Sequence, residues 1–390
     1  MILNPFLFLV AVYWLASLIG LLYGLNNQGF YTLGSYYEIS PSSYYVAFGL
    51  DSAVVFLVVI LYLFSVYGVN KRSRGFSFGR RVGYFIICHQ VAYIIFVLST
   101  GAGVAGSNFS FNGFNIFNYY FILLSPDALA FIITPLLRSR NQFAISISIL
   151  LVSFLIRGWM GGVLFFIILI IVKFHPLALS RSNSFKLVLS CGFLVLSLPL
   201  LESIKWGMRT GIEFHEILAI GWSNFSLEGV GLAFNNVVSR FHHLNNSALI
   251  VENLDFFRQA YAAGEFKSYW MNGLFYETMC KFFFTCGNDL NSFVVGTFYD
   301  PGGKQWNVDP GVAGWLAILG FRSVLFVFLF LLLILGVFWS SLKYMGLNAA
   351  LIFFSFTLVY FFHGWFSPYL NLIFYFLIVS FLSRVKILKT

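Results

Sequence analysis

Long apolar runs separated by short polar connections divide most of the chain into helix-length segments. Seven are delimited clearly: Pro5–Gly24, Phe48–Tyr67, Val82–Val104, Phe117–Leu137, Leu187–Leu201, Phe321–Ser341 and Phe366–Leu382. Most approach the roughly 20 residues that a helix needs to cross the hydrocarbon of a bilayer. Phe143–Ile156 and Trp159–Val172 flank Arg157 and are shorter. A tilted hairpin in a locally thinned bilayer accommodates them. Leu347–Phe362 is the tenth. The pattern predicts an all-α polytopic membrane protein of about ten transmembrane helices. Residues 1–201 hold the first seven, 202–320 form one long loop, and 321–390 hold the last three.

Composition agrees. The 390 residues are 59% hydrophobic and 9% charged, with 50 Phe. A soluble fold of this length has nowhere to hide so much apolar surface. The net charge of +9 raises the question of nucleic acid, and the positions of the charges answer it. Lys71, Arg72, Arg74, Arg80 and Arg81 lie in the second connection, and Arg138 and Arg140 in the fourth. Lys173, Arg181 and Lys186 follow in the sixth, Lys343 in the eighth, and Arg384, Lys386 and Lys389 in the tail. No acidic residue shares these connections. The positive-inside rule then places these connections and both termini in the cytoplasm. The basic excess is a topology signal, and no nucleic-acid module accompanies it.

The segment 202–320 falls on the opposite face and carries most of the acids. A connection of this length is uncommon unless it has a function. Within it, Glu228–Leu254 reads as one amphipathic helix. Leu232, Val237, Phe241, Leu244, Ala248 and Val251 form its apolar face, and Asn236, Arg240 and His243 a polar one. Tyr269–Phe284 reads as a second amphipathic piece on the membrane, and Asp300-Pro-Gly-Gly and Asp309-Pro-Gly as turns. Cys280 and Cys286 lie on the oxidising side, and their pairing is left open by sequence. Cys88 and Cys191 read as packing residues within helices.

Ionisable groups in or beside spans are candidates for function, because burying each without a partner costs several kcal/mol. Arg157 sits at a hairpin tip among Gly158, Gly161 and Gly162; its alternative reading is snorkelling to the interface. Arg322 stands where the long loop returns to the membrane, and Arg209 where it leaves. Arg240, His242 and His243 form a cluster. Asp51 and Asp127 are placed to pair with an arginine, and His363 reads as structural. Arginines at a membrane–water boundary suit a diphosphate headgroup, which the guanidinium fork binds in bidentate fashion. Histidine suits proton transfer near neutral pH. No H-E-x-x-H, P-loop, dinucleotide or G-x-S-x-G pattern is present. The first connection on the loop face holds one acid, Glu38, and lacks the paired acids of metal-dependent lipid-linked glycosyltransferases. No metal and no cofactor are expected.

Three features together resemble the O-antigen polymerase (Wzy) family. They are Leu155-Ile-Arg157-Gly-Trp-Met-Gly161, Ser239-Arg240-Phe-His-His243, and the glycine-spaced Gly311-Val-Ala-Gly314-Trp-Leu-Ala-Ile-Leu-Gly320 before the last three helices. The O-antigen ligase family is similar at the same level. The resemblance implies a bacterial inner-membrane enzyme that acts on the periplasmic face. It would pass a growing glycan from undecaprenyl diphosphate to a lipid-linked repeat unit. Its implied partners are the undecaprenyl-diphosphate-linked oligosaccharide, a chain-length-regulating copolymerase and a flippase. Physical roles then follow: Arg157, Arg240, Arg322 and Arg209 for the diphosphate, and His243, with His242 as the alternative, for the acceptor hydroxyl. A ligase reaction and a lipid-linked oligosaccharide flippase remain open.

Overall fold

The computed structural model describes residues 2–32, 35–67, 76–104, 116–159, 162–178, 181–210, 212–241, 243–271, 287–299 and 309–383. A short strand β1 (Ile2–Leu3) precedes α1 (Pro5–Asn27). The start of α1 is fixed locally: the Asn4 side chain accepts from the N–H groups of Phe6 and Leu7, and Pro5 occupies the first turn. The hairpin β2 (Gly29–Thr32) and β3 (Ser35–Glu38) leads to α2 (Pro41–Tyr67) and α3 (Arg80–Thr100). The fourth apolar stretch is broken. It contains α4 (Ile116–Leu123) and α5 (Pro126–Ile133), because Pro126 cannot continue a helix and Ser125 caps a new one. The helices α6 (Arg140–Ile156) and α7 (Gly162–Lys173) form the hairpin around Arg157. Strand β4 (Leu177–Ala178) then pairs antiparallel with β1.

After the long α8 (Arg181–Thr210), the extended segment is helical in pieces: α9 (Phe214–Ser223), α10 (Leu227–Phe241), α11 (Leu244–Glu252), α12 (Leu254–Ala263) and α13 (Leu290–Val294). Four helices close the chain: α14 (Gly311–Leu319), α15 (Ser323–Met345), α16 (Leu347–His363) and α17 (Phe366–Leu382). Each of the ten expected stretches is occupied by helix. Among the described residues, five helical runs are long and apolar enough to cross a membrane: α1, α2, α3, 116–136 and 311–340. The apolar helices α6, α16 and α17 are shorter, as is Leu164–Lys173 in α7. The chain is an all-α membrane protein.

The centre of the bundle is α16. Every residue from Ala349 to His363 is buried, and α1, α2, α7, α14, α15 and α17 all pack against it. A helix that is apolar on all sides belongs in the interior. Its 17 residues span about 25 Å, less than the hydrocarbon thickness. It ends at Gly364, which takes a left-handed φ of 72° and donates to the last turn.

That end is where the long segment meets the bundle. Gly311, at φ 63°, opens α14 against it. A Cβ on Gly311 would lie 2.7 Å from the Phe362 carbonyl oxygen, and one on Gly364 would lie 3.1 Å from the carbonyl carbon of Gly311. Two backbones touch where neither tolerates a side chain. Arg258 of α12 closes the other end of α14: its Nη2 donates to the Ala317 carbonyl at 3.1 Å and its Nε to that of Ile318 at 3.3 Å. A cation at a helix C-terminus satisfies carbonyls that lack an intrahelical partner.

Three expectations change. The single helix over 228–254 is two, α10 ending at Phe241 and α11 starting at Leu244. Its expected apolar face divides accordingly: Leu244 and Ala248 are fully buried, while Leu232 on α10 is 60% exposed. Asp309-Pro-Gly starts a helix instead of making a free turn. Cys88 is exposed on α3 and does not pack in the core. Cys280, Cys286, most of Tyr269–Phe284 and Asp300-Pro-Gly-Gly lie outside the described residues.

Gly311→Ala should lower the unfolding free energy by about 1–3 kcal/mol through backbone strain, read as a lower thermal midpoint of the purified protein. Gly336→Ala, on α15 with nothing within 4 Å of the added Cβ, should leave the midpoint unchanged or raised. Equal behaviour of the two variants would show that the backbone contact is not required.

Candidate functional site

The residues brought together at the end of α16 are histidines. His243, at the cap of α11, shares a short hydrogen bond from its Nε2 to Nδ1 of His363. The other nitrogen of His363, Nε2, is 2.8 Å from the Tyr13 hydroxyl of α1. Trp365 stacks on His363 with ring centroids 4.5 Å apart and planes 17° apart. His363 is buried at 6% exposure, whereas His243 is half-buried. The result is one accessible imidazole oriented by a buried one, which is oriented in turn by a buried phenol. Base, orienter and second orienter in series are the arrangement required of a positioned general base.

Its depth follows from α1. Tyr13 lies 14 residues before the helix end at Asn27, about 21 Å along the axis. The histidine pair is therefore recessed well below the end of α1 on the long-loop face. The recess is lined by polar groups that fix α11 and α14 side by side. Asn246 donates to the Asp309 carbonyl at 3.1 Å, and Ser247 to the Pro310 carbonyl at 2.8 Å. Tyr299 donates to the Asn246 side chain at 2.8 Å. Both nine-residue helices thus begin at the histidine site, and helix N-termini present N–H groups and partial positive charge. At the far end of α11, Ser40 donates to Glu252 through its N–H at 3.0 Å and its hydroxyl at 2.6 Å. Those bonds hold the Glu252 carboxyl below its usual range.

Asp309 is buried beside the same site. Burial pushes its carboxyl up to about 7, against hydrogen bonds from Asn291 and Trp365 that favour the charged form. Because Trp365 also stacks on His363, Asp309 helps to set the ring that sets the histidine.

The arginines divide. Arg157 is not the free guanidinium that a diphosphate clamp requires. Its Nη1 and Nη2 donate to the two oxygens of Asp127 at 2.8 Å each, and its Nη1 also to the Tyr93 hydroxyl at 3.3 Å. Its side chain is 3% exposed, with the rings of Tyr93, Phe154 and Trp159 around it. The bidentate fork closes on a carboxylate within the bundle, and the residue is a structural ion pair. Arg322 is exposed at the junction of α14 and α15. It rims a groove of about 160 Å³ lined by Tyr261, Trp270, Trp315 and Phe326, among others. Arg240 is in the last turn of α10, three residues before His243. The side chains of Arg240 and Arg209, and all of His242, lie outside what the structure describes. Asp51 is buried, 3.5 Å from the Ser17 hydroxyl. Among the described residues, no three His, Cys, Asp or Glu side chains gather as a metal site would.

Tyr13 carried no signal at the sequence level, and His363 was read as structural. One cue was available: His363 ends an apolar helix in the Phe-Phe-His-Gly-Trp-Phe run, where a left-handed glycine cap forces the chain to turn.

Asp127→Asn should leave Arg157 buried without its counter-charge and cost about 3–5 kcal/mol. The readout is loss of monodisperse protein on size-exclusion chromatography, with partial recovery in Asp127→Asn/Arg157→Gln. A monodisperse, undiminished Asp127→Asn would show that the pair is dispensable. Asp309 gives a pH test. A carboxyl raised in the folded state binds more protons folded than unfolded between its ordinary range and about 7. Stability therefore falls as pH rises through that window. The wild type should lose thermal midpoint across it and Asp309→Asn should lose less; parallel curves would exclude the linkage.

No family model, no curated protein and no solved structure matches the chain.

Proposed function

We propose that the chain is a membrane glycosyltransferase of the glycan-polymerase type, with His243 as its general base. The supporting observation is the His243–His363–Tyr13 series, recessed within a bundle of apolar helices. In the base-competent arrangement, Nε2–H of His243 donates to Nδ1 of His363, and Nε2–H of His363 donates to the Tyr13 oxygen. Nδ1 of His243, on the side of the ring away from His363, takes the proton of the acceptor sugar hydroxyl, and that oxygen bonds to the anomeric carbon of the lipid-linked donor. The bond from that carbon to the diphosphate breaks, and the polyprenyl diphosphate leaves with the electron pair. His243 afterwards gives its proton to water. The imidazolium that forms is stabilised through the same bond to His363.

The leaving diphosphate needs positive charge already in place. The starts of α11 and α14 supply partial charge at the site. Arg240 supplies a full one from the turn before His243, while Arg322, beyond the far end of α14 and about 12 Å or more along its axis from the site, serves only a more distant part of the substrate. Arg157 is assigned to the fold. The substrate class is a polyprenyl-diphosphate-linked oligosaccharide, whose tail needs lipid and whose sugars need water. Ten spans, cytoplasmic termini and a bacterial inner-membrane location belong to the same reading.

Deletion in the native host, followed by a lipopolysaccharide gel, tests it. A polymerase leaves single repeat units on the core, a ligase leaves none while lipid-linked polymer accumulates, and loss of all periplasmic glycan intermediate means a flippase. In a purified assay, His243→Ala should lose the chemical step by at least about 100-fold while still binding donor lipid. Tyr13→Phe should show a smaller loss in kcat and an altered pH profile, because it acts only by orienting His363. Full activity of His243→Ala at normal expression would remove the base from this site.

A further inference from the structure

A second feature of the long segment points to lipid instead of water. Helix α9 does not project away from the bundle. It turns at the end of α8 and packs back along it. A Cβ on Gly207 of α8 would lie 2.2 Å from Cγ1 of Ile217, and one on Gly221 would lie 2.7 Å from Cδ1 of Leu200. These contacts fix the direction: the start of α9 lies by the end of α8, and its tip lies beside Leu200. Leu200 closes the apolar stretch Leu187–Leu201 of α8, and the charged Glu202, Lys205 and Arg209 follow it towards Thr210. The tip of α9 therefore reaches the level at which the apolar stretch of α8 begins, and goes no deeper than its edge. At the tip the chain bends by 105° into α10, and the pair together has the hydropathy of a membrane segment.

Surface chemistry changes along the same path. At the start of α9, the Glu213 carboxyl lies 3.3 Å from Nδ1 of His215, both exposed, with Glu216 one residue on. From Ile217 to Leu227 there is no charged residue. The large apolar side chains that point outward are Leu218, Ile220, Trp222, Phe225 and Leu227, with Trp222 at 77% and Leu227 at 90% exposure, and the small uncharged Ser223, Asn224 and Ser226 stand between them. Trp222 and Phe225 stack on each other, 5.8 Å apart, so the corner has a defined apolar shape. Below it on α8, Phe185, Leu189, Phe193 and Leu196 are exposed as well. The corner continues a stripe that already faces outward on a membrane helix. Charge resumes at Glu228, in the first turn of α10, where a helix N-terminus favours an acid.

We infer that α9 and the start of α10 form a re-entrant pair whose Trp222–Leu227 corner is inserted among the acyl chains of the leaflet on the long-loop face. Leaving these side chains in water would expose an apolar patch with nothing to cover it, and the place of the tip, beside the last residues of the apolar stretch of α8, sets it against the acyl chains. Part of the segment that sequence marks as a loop is thus a membrane element. Helix α10 leaves the lipid at this corner, packs on α1 and α8, and ends beside His243.

The test does not depend on the enzymatic reading. In full-length protein with Cys88, Cys191, Cys280 and Cys286 replaced by alanine, Leu227→Cys is labelled with an environment-sensitive fluorophore and placed in phosphatidylcholine nanodiscs. The label should emit to the blue. Lipids carrying a nitroxide on the acyl chain should quench it, and aqueous iodide should not. The same label at Glu216→Cys should give the reverse pattern. Trp222→Cys is the second reporter if Leu227→Cys is not monodisperse. A corner label quenched by iodide and indifferent to the nitroxide lipids overturns the inference.

Discussion

The contact of Gly311 with Gly364 is the constraint on which the functional half of the molecule depends. Helix α16 is buried on all sides, and at its end one backbone packs directly on another. Gly364 turns the chain with a left-handed φ, and Gly311 lays the start of α14 on the turn. Any side chain at either position would lift α14 away. With α14 would go Asp309 and Pro310, whose carbonyls receive Asn246 and Ser247. Those two bonds set α11, and α11 sets His243. One steric fact at two glycines thus propagates through four elements to the orientation of a single imidazole.

The bundle buries its ionisable groups in two different ways. At Arg157 the problem is solved by closure: a bidentate carboxylate, a phenol and three aromatic rings surround the guanidinium. Such a pair holds α5 to the hairpin of α6 and α7 and has little capacity left for a ligand. At His363 the solution is a series. Each ring nitrogen of His363 has a partner, and one of those partners, His243, is only half-buried. The first arrangement neutralises a charge inside the bundle, whereas the second satisfies a buried imidazole by hydrogen bonds alone.

Sequence reading reached the fold through periodicity and charge, both local signals. Each of the ten apolar stretches contains helix, and the break at Ser125-Pro126 follows from proline chemistry that is visible in the chain. Asp127 was placed by sequence to pair with an arginine, and Arg157 is that arginine, 30 residues away; which arginine it meets is a tertiary fact that no local pattern carries. Tyr13 and His363 are separated by 350 residues, and no spacing rule connects such positions. The continuous helix over 228–254 failed for a related reason. Its apolar pattern persists across residues 242–243, while its two halves serve different surroundings: α11 enters the protein core and α10 keeps Leu232 outward. Hydrophobic periodicity records that a face is apolar and does not record whether protein or lipid covers it.

The division of labour around His243 follows from the cost of burying charge. In the proposed reaction the base changes protonation in each cycle, and each change on a fully buried helix would cost several kcal/mol. Helix α16 then suits the orienting role better than the exchanging one: it contributes His363, which keeps both nitrogens paired. The proposed exchanging group, His243, belongs to the long segment and stands at the start of α11, half-buried where α16 is buried throughout. Helix α10 brings the chain to that point from the Trp222–Leu227 corner, and α11 carries it on into the protein core with Leu244 and Ala248 fully buried. Short helices with differently covered faces are what such a path requires.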